Sequence, residues 1–151
     1  CDGTRAGFAA IMVRALGLSD KGKAASFKDV SAKDWFAGAV AKAGEYGLIT
    51  GYEDGTFRPG NTMTRQEAIV MLARAMKWAG LTGNKADVDK TLARFADGHQ
   101  VAAWAKASVA ATVEHGLVHG SSGNLNPASE ITRAEAAAIV QRMLKKAGLI
   151  D

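Results

Sequence analysis

The residues in this chain best suited to chemistry are three arginines, each placed directly after a threonine. Thr4-Arg5, Thr64-Arg65 and Thr132-Arg133 each open an apolar run with helical spacing. An arginine at the first position of a helix stands at the positive end of the macrodipole, where an acidic residue is favoured. That choice is made three times, which points to a second purpose for the side chain. Beside helix-start N–H groups, a guanidinium makes a receptor for a carboxylate or phosphate. The alternative is an arginine that salt-bridges a neighbouring repeat, and the residues alone leave both readings open. A further arginine follows at the same offset in all three runs, Arg14, Arg74 and Arg142. These inner arginines read as structural.

Other side chains sort against this set. Trp35 and Trp104 hold equivalent places, where an indole face suits either a sugar ring or core packing. Trp78 has no aromatic counterpart and reads as packing or surface. Gly51 and Gly120 either let backbone approach a ligand or supply positive φ in a turn, and the turn is the safer reading. His115 and His119 have the spacing of a zinc pair, but Gly116 interrupts the helix between them, and no metal site is expected. The Tyr52–Phe57 loop fails as a calcium loop because Thr50 and Asn61 fall where acidic ligands are required. No nucleophile elbow, P-loop or dinucleotide glycine pattern is present. The chain is read as non-catalytic, with no cofactor.

The net charge is +4 over 151 residues, which favours an acidic partner weakly. Lys and Arg form no basic block with interleaved aromatics, so nucleic acid is not the expected partner. No apolar run suits membrane insertion or a signal peptide. The lone Cys1 has no internal disulfide partner.

These residues are positioned by internal repetition. Phe27, Asp29 and Trp35 answer Phe95, Asp97 and Trp104. Glu45 to Gly51 answers Glu114 to Gly120, and Phe57 with Pro59 answers Leu125 with Pro127. Each repeat reads as a short helix, a loop and a longer helix. Ser31 or its neighbours are expected to cap a first helix that carries Trp35 and stops at Gly47. Trp104 and Gly116 play the same parts in the next copy. The loops, Thr50–Thr62 and His119–Glu130, leave no room for a long strand. Thr64 with Glu67 and Thr132 with Glu135 form capping boxes. Gly7 replaces the glutamate in the first copy, for a cap weaker by about 1 kcal/mol.

Along the longer helices Phe8, Ala68 and Ala136 align, as do Ile11, Met71 and Ile139. Met12, Leu72 and Val140 follow, then Leu16, Met76 and Leu144. This spacing gives each helix one buried face. The expected fold is all-α: three tandem helix-loop-helix repeats in a pseudo-threefold bundle, forming one domain over residues 1–151. Partial repeat one covers 1–18, repeat two 27–81 and repeat three 95–149. Connectors are expected near Leu18–Ser26 and Leu81–Arg94, the second with a short helix around Lys85–Leu92.

The order F-x-D, W, G-[LI]-[IV]-x-G, F-x-P and T-R-x-E resembles the S-layer homology family over nearly the whole chain, from Thr4 to Leu149. Repeat three departs from the pattern at Ser121–Leu125, and repeat one lacks its front half. The resemblance implies a monomeric anchor that holds a secreted protein on the bacterial surface. It would bind pyruvylated N-acetylmannosamine of a secondary cell-wall polysaccharide in grooves between repeats. It implies ligand contacts from Arg5, Arg65 and Arg133, from Trp35 and Trp104, and from the loop residues Gly51, Tyr52, Asp54, Gly120, Ser121 and Ser122. The alternative is a protein–protein module that takes acidic segments in the same grooves. Because repeat one is partial, Arg5 is expected to matter less than Arg65 and Arg133.

Overall fold

The fold is given by a computed structural model that describes residues 3–19, 27–81 and 87–150. Six α-helices follow in order: α1 (Arg5–Ala15), α2 (Ala37–Glu45), α3 (Arg65–Trp78), α4 (Val88–Leu92), α5 (Lys106–Glu114) and α6 (Arg133–Lys146). The described residues contain no named strand, only isolated bridges at loop ends.

The three long helices start as the sequence implies. The hydroxyl oxygens of Thr4, Thr64 and Thr132 accept from the backbone N–H three residues on, at 3.1, 3.3 and 3.1 Å. Gly7 therefore keeps the threonine half of the cap and loses only the glutamate. Short helices end as expected too. Gly47 and Gly116 take φ of +70° and +72°, and the next N–H groups, of Leu48 and Leu117, reach back to Ala43 and Thr112 at 2.8 and 2.9 Å. A residue with a Cβ would strain at such a φ.

The first helix of each repeat begins later than expected. Ser31 and Asp34 close a turn on themselves, with Ser31 N–H donating to Asp34 at 2.8 Å, and α2 starts only at Ala37. Trp35 precedes the helix, and Trp104 sits in a 3₁₀ turn, Ala103–Ala105, ahead of α5. Of the extra helix expected at Lys85–Leu92, the part from Val88 is present as α4, capped by Asp87. Lys85 lies outside the described residues, as does most of the Leu18–Ser26 connector.

The residues just ahead of the three capping threonines meet in a closed ring. Gly3 N–H donates to Ile131 O at 3.0 Å, Ile131 N–H to Met63 O at 2.9 Å, and Met63 N–H to Gly3 O at 3.2 Å. This triangle marks the pseudo-threefold axis. From it, α1 packs on α2 and α6, while α3 packs on α5 and more lightly on α6. Each of α1 and α3 thus pairs chiefly with the first helix of the following repeat.

The aligned stripe is buried. Met12, Leu72 and Val140 are at most 3% exposed, and they belong to one continuous hydrophobic cluster with Phe8, Met76, Leu117 and Met143. Each such side chain contributes about 1.5–3 kcal/mol by leaving water. α1 departs from the one-face expectation. It is buried on most sides, with Ala6, Ala9, Ala10 and Val13 enclosed along with the stripe, because α2 and α6 flank it.

Candidate functional site: grooves between repeats

The loop of each complete repeat is held by its motif aspartate. Asp29 accepts the N–H groups of Phe57 and Arg58, both at 2.8 Å. Asp97 does the same for Leu125 and Asn126, at 2.7 and 2.8 Å. Arg58 and Asn126 take φ of +58° and +51°, so the clamp holds a turn that the chain would not favour unaided. Burial pushes the Asp29 carboxyl up, but N–H donors from Phe57, Arg58 and its own backbone prevail and hold it below the usual carboxylate range. Asp54 is also held low, by the Thr56 hydroxyl and N–H and, less, by Arg58.

The clamped loop then seats the arginine of the repeat before it. Arg5 Nε donates to Phe57 O at 2.8 Å and Nη2 to Thr50 O at 3.2 Å. Its guanidinium lies 4.9 Å from the Tyr52 ring centroid and 4.8 Å from that of Phe57, and its Nη1 is 3.8 Å from Glu67. Arg65 repeats the pattern one step on: Nε donates to Leu125 O at 3.0 Å, and Nη1 pairs with Glu135. The salt-bridging alternative for the motif arginine is therefore what both copies display. The helix-start N–H groups are occupied as well. Arg5 and Ala6 donate to Asn61 O and Pro59 O, and Arg65 and Gln66 to Ser129 O and Pro127 O.

Two equivalent clefts result. Groove 1 is about 180 Å³, lined by Arg5 from repeat one, by Thr50, Glu67, Met71 and Arg74 from repeat two, and by Trp104 from repeat three. Groove 2 is about 220 Å³, lined by Arg65, then by His119, Gly120, Ser121, Glu135 and Arg142 of repeat three. The wall of each is a helical stripe at i, i+3, i+4, i+7: Glu67, Val70, Met71, Arg74 in groove 1 and Glu135, Ala138, Ile139, Arg142 in groove 2. Each stripe has an acid at one end, a guanidinium at the other and apolar floor between. Arg74 has no partner among the described residues, and Arg142 spends one N–H on Leu117 O at 3.2 Å. These inner guanidinia are the less committed cations of their grooves.

Trp104 reaches groove 1 because the Gln66 side chain accepts Ala102 N–H at 3.0 Å and fixes the turn that carries the indole, which is 60% exposed. An exposed indole beside two guanidinia and an apolar floor suits a flat, partly apolar, anionic ligand.

The third position by symmetry would draw on Arg133, the stripe Gly7, Ala10, Ile11, Arg14, and Trp35. Here Gly7 stands where Glu67 and Glu135 stand, and among the described residues no loop carbonyl faces the N–H groups of Arg133 or Ala134. Arg133 is exposed and has no partner among the described residues. A groove joins one repeat's arginine to the next repeat's loop, and among the described residues Arg5 and Arg65 have such walls.

The candidates divide accordingly. The structure brings Arg5 and Trp104 together in groove 1, and Arg65, Gly120 and Ser121 in groove 2. Tyr52 acts at one remove, with its ring beside Arg5 and with Arg58 3.8 Å from the ring centroid on its own account. Asp54 is engaged inside its loop, accepting from Thr56 at 2.6 Å. Ser122 takes a left-handed turn position and, like Trp35 and Arg133, lines neither groove. Gly51 is not at positive φ, contrary to the safer reading. A Cβ there would fall 2.3 Å from the Phe27 ring, so the motif phenylalanine is what demands glycine. Gly120 combines both reasons, with φ of +76° and a Cβ that would fall 2.7 Å from Asn124 O and 2.9 Å from the Phe95 ring. Missed in the sequence were Arg74, Arg142, Glu67 and Glu135 as groove walls, although their i, i+3, i+4, i+7 spacing was there to be read.

Comparison with known proteins agrees with this architecture. Residues 26–69 and 94–137, together over half the chain, match the S-layer homology domain. The chain is 36% identical to an amylopullulanase of Thermoanaerobacterium thermosulfurigenes, over 97% of this chain and 8% of that protein. It is 34% identical to the surface-layer 125 kDa protein of Lysinibacillus sphaericus, over 94% and 12%. It is 31% identical to a cellulosome-anchoring protein of Acetivibrio thermocellus, over 97% and 33%. In each case the chain spans a third or less of the relative. With its ring of helix starts, its aspartate-clamped loops and these matches, the chain belongs to the S-layer homology domain family.

Proposed function

We propose that this chain is a non-catalytic anchor that holds a protein on the bacterial cell wall by binding anionic, pyruvylated polysaccharide in its inter-repeat grooves. The observation that carries the reading is groove 1, where all three repeats converge to place Arg5, Arg74 and Trp104 around one apolar floor. A pyruvyl ketal offers one carboxylate for a guanidinium, and its pyranose ring offers a face for the indole. Relatives as different in name as an amylopullulanase, a surface-layer protein and a cellulosome-anchoring protein match this chain over 8%, 12% and 33% of their own length. That distribution fits an attachment module better than a catalytic one. None of the described helices is long and apolar enough to cross a membrane.

The test is calorimetric titration with pyruvylated N-acetylmannosamine and with its unmodified parent, alongside binding to purified wall before and after removal of the polymer. Selective binding of the charged sugar, weakened by salt and indifferent to chelator, is expected. Equal affinity for both sugars, or undiminished binding to stripped wall, would exclude the reading. Capture of acidic peptides in place of the sugar would support a protein-binding module instead.

A further inference from the structure

The two grooves share one charged frame and differ in what completes it. Both have a motif arginine, a capping-box glutamate and an inner arginine: Arg5, Glu67, Arg74 against Arg65, Glu135, Arg142. Groove 1 adds the Trp104 indole. Among the described residues no indole lines groove 2, which instead has exposed His119 where groove 1 has Thr50. An imidazole is the side chain suited to gain charge between about pH 5 and 8.

We infer that His119 makes groove 2 a proton-gated anion site, binding a carboxylate-bearing sugar more tightly once the imidazole is charged, while groove 1 binds at all such pH values. This rests on the anionic-sugar reading above. The charged groups that line groove 2 with His119 are Arg65, Glu135 and Arg142. Arg65 comes from α3 and is answered by Glu135, while Glu135 and Arg142 come from α6. On the α5 side, Glu114 is taken up by Arg94 and Thr91, leaving His115 as the other titratable neighbour in sequence. One added positive charge beside Arg142, bonded only to a carbonyl, and Arg65, answered by Glu135, is therefore a large relative change in the groove. Carboxylate binding draws on it through Coulomb attraction and a charge-assisted N–H donor. Groove 1 has no such group, and its indole contact is indifferent to protons.

The experiment uses the intact chain and the pyruvylated monosaccharide, with NMR amide shifts of Thr50 and Ser121 reporting the grooves separately. Groove 2 should bind about fivefold tighter at about pH 5.5 than at about pH 8, with groove 1 changing much less. His119→Thr should flatten groove 2 at its weaker value, His119→Lys should flatten it at the tighter value, and Thr50→His should carry the dependence into groove 1. His119 is exposed, so these variants are expected to fold, and amide dispersion checks it. A groove 2 affinity that ignores pH, or a dependence that survives His119→Thr, overturns the inference while leaving the anchor reading intact. Failure of both grooves to bind at either pH overturns both.

Discussion

Arg5 in groove 1 is closed in by Tyr52 and Phe57 and keeps only 7% of its surface exposed. Arg65 in groove 2 has Ser121 and Leu125 at the corresponding places, and its side chain is 15% exposed against 9% for that of Arg5. Identical residues at identical helix positions thus differ in their contacts because of what the following repeat's loop carries. A guanidinium seated between two rings and two carbonyls loses little freedom when a ligand arrives. Arg65 lacks the two rings and is held instead by one carbonyl and by Glu135. The two grooves therefore teach that the motif supplies a cation, while the neighbouring loop decides how prepared it is.

The comparison can be broken first by stability. Arg5→Ala strands the carbonyls of Phe57 and Thr50 and should cost about 3 kcal/mol, against about 2 for Arg65→Ala and under about 0.5 for exposed Arg133→Ala. Urea denaturation of the three variants checks this gradient. Equal losses would mean that the seating by Tyr52 and Phe57 is irrelevant.

Next come the inner arginines, whose effect should be on binding. Arg74→Ala should weaken groove 1 by about 1–3 kcal/mol and leave groove 2 alone, and Arg142→Ala should do the reverse. Arg14→Ala should leave both grooves unchanged. Groove-resolved titration by NMR is the measurement. Sharpening the contrast further, Trp104→Ala should cost groove 1 about 1 kcal/mol and groove 2 nothing, with Trp35→Ala silent in both.

The smallest effect concerns the loops behind the grooves. Asp29 is held below its ordinary range in the folded chain. It therefore contributes stability that is present above the unfolded carboxylate pKa and is lost as pH falls through the lower native value. Because the group is exposed, the loss should be a few tenths of a kcal/mol. Urea midpoints measured between about pH 5 and pH 2.5 should fall less for Asp29→Asn than for the parent. An identical acid limb would remove Asp29 from the account.

Helices, caps and repeat order were legible in the sequence because they rest on local spacing. Thr64 with Glu67, or Gly116 after a short apolar run, announces itself within a few residues. Which arginine meets which loop was not legible, since it depends on how repeats are handed around the axis. Nothing near Arg5 says that Glu67 and Thr50 will face it, or that Trp104 closes the same cleft from a third repeat. The inner arginines were read as structural because Arg74 was matched with Arg14 and Arg142 across the repeats, apart from the Glu67, Val70, Met71 stripe on its own helix. Gly51 shows the same limit, for its need of close approach comes from Phe27, across the loop.

The backbone triangle of Gly3, Met63 and Ile131 also sets a number. Each of these residues brings one donor and one acceptor to the axis, and three of them satisfy one another with none left over. Stacked helical repeats of the open kind always present an unfinished end onto which another copy can add. A closed cycle offers no such end, so a fourth copy would have to break a bond to enter, and it would begin a separate cycle more readily than enlarge this one. The arithmetic of these three peptide hydrogen bonds thereby closes the cycle at three.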